Sequence, residues 1–289
     1  MSPRFRSIGV IAKRQAFDAL ISPGFYLTLV IGLLLQYALA SGFARAVDSS
    51  GFNPPLWPLY DVLSRSLEGA FGKTFVEALF AEGPLPLAFA VSFAPVFLFI
   101  AVSSVFKFGL ERSAGAIELI VYGPADGTSY FVASYVKDLF LAILAIIVLL
   151  AFTVLTAAIY NYVVGPQLIR AALVAFFLAL ALLAYGVLAS MLTANAASSL
   201  ALFLGIVAFF LAVLLGSFSI VSEYVRNLSS VLAWAFSWIS PFFYGALSLR
   251  AATAGNGFGF AGGLALLALL AGALLLASHF IMRVRGVRA

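Results

Sequence analysis

The sequence predicts an all-α membrane protein with six transmembrane helices, and two observations lead to this fold class. The first is composition, since 64% of the 289 residues are hydrophobic and only 9% are charged, whereas soluble domains contain about 25% charged residues. The second is the placement of the charges, which leaves long uncharged windows between them. A soluble fold of this length could not bury so much apolar surface, so we expect one membrane domain spanning residues 1–289.

The uncharged windows locate the six spans. A helix needs about 20 apolar residues to cross the hydrocarbon layer, and helices satisfy their own backbone groups there. Apart from residues 227–249, five windows are long enough, and the one from Ala171 to Ser222 holds two helices separated by the polar run 193–199. The predicted spans are about 24–44, 86–106, 139–163, 169–191, 199–221 and 260–282.

The start of the first span has a recognisable signal. Ser22 can serve as a helix N-cap and Pro23 suits the first helical position. Ala38-Leu-Ala40 before Ser41 also resembles a signal-peptidase site. The long segment that precedes it favours an uncleaved span.

Basic residues at both ends of the chain predict its orientation. They are Arg4, Arg6, Lys13 and Arg14 at the N-terminus, and Arg283, Arg285 and Arg288 at the C-terminus. By the positive-inside rule both termini are cytoplasmic, which requires an even number of spans. Ten of the 16 Lys and Arg residues then lie inside. This topology creates an outer loop, 45–84, and a cytoplasmic loop, 107–137.

Residues 227–249 form a further uncharged stretch that is less apolar than the spans. The stretch contains five serines together with Pro241 and Gly245. Because seven spans would separate the termini, we expect a re-entrant helical hairpin on the outer side within residues 223–258, with a seventh span as the alternative. Trp234 and Trp238 suit the membrane interface.

The predicted spans lack charged residues in their apolar centres. Ion-driven transporters and membrane enzymes usually keep ionisable groups there, so their absence disfavours both classes. The chain also offers no nucleotide site, because the Gly257–Gly262 match to GxGxxG leads into a membrane helix and not out of a strand. No cofactor, metal or nucleic acid is expected to bind this chain.

Residues 111–138 interrupt the apolar pattern with charges, glycines and a proline. Ser113 can cap a short helix from Ala114 to Tyr122, and Gly123-Pro124 would end that helix. Such a surface helix could dock onto a soluble partner or lie on lipid headgroups, and the pattern alone does not choose between them.

This segment resembles the cytoplasmic signature loop of ABC-2 type transporter permeases, which shows Glu-Arg-x-x-Gly-Thr-x-Glu, a later proline, and a lysine before the third span. It departs from the family pattern at Ala116, where threonine is usual, and at Ser113. The start of the first span, Asp18 to Tyr26, is also similar. The matching residues are Glu111, Arg112, Gly115, Glu118, Leu119-Ile120-Val121, Pro124 and Lys137.

The resemblance implies a permease subunit, an exporter, in the bacterial cytoplasmic membrane. The short helix would then be a coupling helix that docks on a separate ATPase subunit, which would bind ATP and magnesium. It also implies a second permease copy, and the outer loop could bind a periplasmic partner. A non-transporting membrane anchor or mechanical transmitter is the alternative, and a membrane enzyme a weaker one. The implied coupling residues are Glu111, Arg112, Gly115, Glu118 and Pro124.

Overall fold

The computed structural model describes residues 3–48, 85–113, 127–216, 227, 231–232 and 234–285. These residues form helices and no strands, as the sequence predicts. In chain order the principal helices are α1 (Pro3–Ile21), α2 (Pro23–Asp48), α3 (Leu85–Ser113), α4 (Gly127–Ile159), α5 (Pro166–Leu192), α6 (Ala196–Gly216), α7 (Pro241–Thr253) and α8 (Gly257–Arg285).

Within the described ranges, six helices are long and apolar enough to cross a membrane, which confirms the predicted number. The first begins at Pro23, where the sequence predicts a helix start. A multi-pass bundle of this kind fits a membrane transport protein. The six candidate spans are Pro23–Ala44, Leu85–Glu111, Ser129–Ile159, Pro166–Leu192, Ala196–Val213 and Gly257–Arg283.

The helices extend further into the charged segment than the sequence suggests. Both ends of the expected loop 107–137 are helical, because α3 continues through Ser113 and α4 already begins at Gly127. α4 ends at Ile159 and not at 163, and Asn161 then takes up a left-handed φ of 54°. Asparagine is one of the few residues that tolerates this conformation in a tight connection.

Helices α3 and α5 occupy the centre of the bundle. α3 packs against α2, α4, α5 and α6, and α5 packs against α3, α4, α6, α7 and α8. Close approaches occur at glycines: a Cβ atom at Gly32 would lie 2.7 Å from the Ser92 carbonyl oxygen, and one at Gly186 would lie 2.7 Å from the Val105 side chain. Such small residues allow helices to pack closely in lipid, where the hydrophobic effect does not drive one helix against another.

Both chain termini lead to the same end of the bundle. An apolar cluster there joins the end of α3, the start of α4 and the end of α5 through Phe108, Tyr130, Phe131 and Met191. Ile11 of α1 and Met282 of α8 pack against it. We call this region the termini end. At the opposite end, the Tyr162 hydroxyl between α4 and α5 donates to the Ala40 carbonyl of α2 over 2.8 Å.

Helix α7 lies inside the bundle and runs antiparallel to α5. The Tyr185 hydroxyl donates to the Ile239 carbonyl just before α7, and Arg170 donates to the Ala252 carbonyl at its end over 2.9 Å. Tyr185 and Arg170 lie roughly 22 Å apart along α5. α7 therefore reaches from the opposite end of the bundle far towards the termini end. Ser240 caps it, accepting from the Phe243 amide over 3.4 Å.

The predicted re-entrant hairpin is described only in part. α7 reaches as far into the bundle as one arm of such a hairpin would. Most of the other arm lies outside the described residues, so the hairpin stays a prediction. Trp238, which we expected at the outer interface, adjoins Ile239 and therefore lies deeper in the bundle. It is 77% exposed, so it faces outward from the bundle at that depth.

Candidate functional site

A buried ion pair lies at the termini end, where the chain returns from the charged segment into α4. The Lys137 Nζ atom is 2.7 Å from Asp138 Oδ1, and only 2% of the Asp138 side chain is exposed. Ser104 of α3 donates a hydrogen bond to the other Asp138 oxygen. Burying a charge is costly unless it is paired. A buried ion pair that also accepts a hydrogen bond from Ser104 therefore marks a candidate functional position.

Two further charges of α3 complete the group. Lys107 and Glu111 are one helical turn apart, a spacing that places them on the same face. Both interact electrostatically with charges of α4. Glu111 interacts with Lys107 and with Lys137, and Lys107 also interacts with Asp138. We call Ser104, Lys107, Glu111, Lys137 and Asp138 the charged junction. Lys137 and Asp138 are buried, Glu111 is half-buried and Lys107 is exposed, and the two cations balance the two anions.

Helix α1 covers the charged junction and encloses a cavity of about 190 Å³ above it. Gln15 and Asp18 of α1 line the cavity opposite Lys107 and Asp138. The Gln15 amide oxygen is buried and has no hydrogen-bond partner among the described residues. α1 therefore places polar side chains beside those of α3 and α4, in addition to its apolar packing at the start of α4.

The sequence-predicted coupling residues fall at and beyond the end of α3. Glu111 lies half-buried in the last turn of α3, and one of its carboxylate oxygens has no hydrogen bond to any residue that the structure describes. Arg112 belongs to the same helix, whereas Gly115, Glu118 and Pro124 lie outside the described residues.

Ser113 is the last residue of α3 that the structure describes, so its expected role as the cap of a following helix stays a prediction. It closes α3, where its hydroxyl donates to the Leu110 carbonyl over 3.0 Å. A serine inside a helix commonly bonds a carbonyl of the preceding turn in this way. The expected helix from Ala114 to Tyr122 lies outside the described residues.

Sequence reasoning missed Asp138 and its partners. The apolar window starts at Leu139, so Lys137 and Asp138 were expected in the loop and the spans were expected to be free of charge near their cores. The third candidate span in fact begins at Ser129 and includes both residues. The centre of this helix, from Leu139 to Ile159, is nevertheless uncharged, so Lys137 and Asp138 lie at the edge of the apolar run. An adjacent Lys-Asp pair ahead of a long apolar run was the available signal.

A second polar group lies within the spans and was also missed. Gln36 of α2 is 1% exposed and donates to the Thr153 hydroxyl of α4, while Ser92 of α3 donates to the Gln36 amide oxygen over 3.4 Å. Thr153 in turn donates to the Leu149 carbonyl over 2.7 Å. Hydrogen bonds between membrane helices contribute roughly 0.6–2 kcal/mol each. This group therefore fastens α2, α3 and α4 together.

The packing of α1 also differs from the expected pattern. The sequence pattern of residues 8–20 suggests an interfacial helix with Phe5, Ile8, Ala12, Ala16 and Leu20 on its apolar face and Ile11 on its polar face. Ile11 packs against the cluster at the termini end, and Gln15 is buried. One side of α1 packs against the bundle and the other side is exposed. Apolar residues occur on both sides of the helix.

No protein-family model matches the chain, and no curated protein matches its sequence. The resemblance of residues 111–138 therefore depends on the residues of this segment and on the helix layout.

Proposed function

We propose that this chain is the permease subunit of an ATP-binding-cassette exporter of the ABC-2 type, driven by a separate ATPase subunit. The observation that carries the proposal is the position of the charged junction. The signature segment connects α3, which is described through Ser113, to α4, which is described from Gly127. Lys107 and Glu111 lie on the α3 flank and Lys137 and Asp138 on the α4 flank, so one electrostatic group links both flanks.

This arrangement suits the transmission of a mechanical stroke. A force on residues 114–126 would act on α3 and α4 together, because the charged junction joins them. α1 would follow, since it packs along α4 and leads directly into α2. Packed helices move as rigid bodies and shift between discrete arrangements, so a small displacement at the surface would reach the spans.

The roles of the partner subunits follow from the same proposal. The ATPase binds ATP and magnesium and carries out hydrolysis, while this chain performs no catalysis. A second permease copy completes the membrane unit, and the outer loop offers a surface to an extracytoplasmic partner. The Lys137–Asp138 pair does not require ion-driven transport, because it sits at the end of the apolar run and is already neutralised.

The proposed orientation places the termini end in the bacterial cytoplasm. Exposed basic residues gather there, including Arg6, Lys13, Arg14, Lys107 and Arg283. Cytoplasmic loops of membrane proteins carry such an excess of Lys and Arg.

Single-cysteine labelling tests this orientation, and the absence of native cysteine makes the background clean. We expect Val163→Cys, in the exposed α4–α5 connection, to react with a membrane-impermeant maleimide in intact cells. Ala194→Cys, in the exposed α5–α6 connection, should react only after the membrane is permeabilised. The reverse labelling pattern would place the signature segment outside the cell and would rule out its contact with a cytoplasmic ATPase.

Co-purification tests the partner. We expect a soluble ATPase to accompany the wild-type chain from native membranes in mild detergent and to be lost with Glu118→Arg, since a reversed charge on a docking helix opposes its partner. Glu82→Arg is the matched control, because it makes the same charge change in the outer loop that the sequence predicts. The proposal fails when no ATPase accompanies the wild type, or when both variants retain it equally.

The second candidate is a mechanical transmitter that uses ATPase strokes without moving a substrate. The charged junction serves this role equally well, because it transmits displacement and does not contact a substrate path. The two functions separate in reconstituted vesicles, where a transported substrate stimulates ATP hydrolysis and accumulates across the bilayer.

A further inference from the structure

Helices α1 and α4 enclose an apolar groove at the termini end that the proposed ATPase coupling does not use. The groove has a volume of about 730 Å³, within the range of about 300–1,000 Å³ typical of small-molecule sites. It lies on the opposite side of α1 from the polar cavity, and Lys137 borders both. Its apolar lining includes Gly9, Val10, Phe17, Leu20, Val136 and Phe140.

The α1 side of the groove presents apolar side chains outward. Val10, Phe17 and Ile21 are 64%, 63% and 62% exposed. Their spacing of seven and then four residues places them on one face of the helix. A helix with exposed apolar residues beside basic ones is typical of the membrane surface, where the apolar side chains enter the boundary between headgroups and acyl chains.

The α4 side continues the groove towards the hydrocarbon layer. Val136, Phe140, Ile143 and Ile147 are all exposed and recur every three or four residues, so they form a continuous apolar stripe. The uncharged part of α4, from Leu139 to Ile159, is about 30 Å long, which equals the thickness of the hydrocarbon core. The groove therefore opens at the level where lipid headgroups meet acyl chains.

Two cations stand beside this apolar surface. Lys13 and Arg14 line the groove and are both exposed, whereas Lys137 is held by Asp138. An apolar groove with basic residues beside it complements a molecule that has a hydrocarbon chain and a negatively charged head. Arginine and lysine bind phosphate through charge-assisted hydrogen bonds.

We propose that this groove binds one anionic glycerophospholipid. One acyl chain lies between α1 and α4 and follows the exposed stripe of α4, while the phosphate contacts Lys13 and Arg14. The site does not depend on the ATPase partner. Through α1 it couples lipid composition to the charged junction, because α1 forms one wall of the groove and one wall of the polar cavity.

Native mass spectrometry of the full chain in detergent tests the site, with phosphatidylglycerol and phosphatidylcholine of identical acyl chains as probes. We expect a retained phosphatidylglycerol adduct and weaker phosphatidylcholine binding. The double variant Lys13→Glu/Arg14→Glu should weaken phosphatidylglycerol binding roughly tenfold or more, since each basic residue contributes to attraction of anionic lipid. Gly9→Phe should weaken both lipids by filling the groove, and it should fold, because a Cβ atom at Gly9 meets no atom within 4 Å.

Arg6→Glu is the matched control. Arg6 is exposed on the same helix but does not line the groove, so phosphatidylglycerol binding should change little. An equal loss with Arg6→Glu would show general attraction to an anionic surface and would overturn the site. Equal binding of both lipids to the wild type would overturn recognition of the phosphate charge. If Gly9→Phe abolishes a dimer in the same spectra, the groove belongs to a second copy of the chain and the lipid proposal is wrong.

Discussion

Replacing Asp138 by alanine is expected to destabilise the protein by about 3–5 kcal/mol, the cost of removing one partner of a buried ion pair. The loss is large because Lys137, which is 8% exposed, would keep its charge without the carboxylate that neutralises it. Ser104 would also lose its acceptor. The measurement is the midpoint of thermal unfolding in detergent, together with the amount of protein that reaches the membrane.

A double variant separates the ion pair from simple loss of packing. Lys137→Met/Asp138→Leu removes both charges and keeps apolar volume, and we expect it to be far more stable than Asp138→Ala, because replacing a whole buried pair is often close to neutral. Asp138→Asn keeps the acceptor for Ser104 and should fall between the two. If all three variants unfold at the wild-type temperature, the pair does not hold α3 and α4 together.

Introducing leucine at Gly32 is the second change with a large expected effect. A Cβ atom there would lie 2.7 Å from the backbone carbonyl oxygen of Ser92, so α2 and α3 would have to move apart. Overpacking of this kind costs about 1–3 kcal/mol. The separation would also stretch the hydrogen bond from Ser92 to Gln36, which is already 3.4 Å long. We expect a lower unfolding temperature and less protein in the membrane.

Gly205→Leu and Gly272→Leu are the controls for this experiment. Both glycines lie in candidate spans, and a Cβ atom at either position meets nothing within 4 Å. The same residue change therefore adds an apolar side chain without a clash, and stability should stay close to that of the wild type. An equal loss at all three positions would show that glycine itself, and not the close contact at Gly32, determines the effect.

The glycines before the last span show how far the sequence pattern could be used. By sequence alone, Gly262 and Gly263 are equal candidates for close helix packing. A Cβ atom at Gly263 would collide with Ser248 of α7, so this glycine allows the contact, whereas one at Gly262 would point into open space. Adjacent helical residues face directions about 100° apart, so only one of two neighbours can face a given partner.

The sequence by itself determined the class of the fold and the number of candidate spans. Each span is selected by its own transfer from water to lipid, which depends on local composition and requires no knowledge of the neighbours. The same locality explains why the windows for 24–44 and 169–191 agree closely with the helices that begin at Pro23 and Pro166.

Only the tertiary structure decided which polar residues lie inside and what they contact. Lys137 and Asp138 belong to a helix that continues from Gly127 to Ile159, and their pairing offsets the cost of their burial. A hydropathy window counts each charge as if it were alone. Gln36 and Thr153 are far apart in sequence and meet only through the packing of α2 against α4. Composition sets the cost of burying a polar group, but its partner offsets that cost, and partners are brought together by the fold.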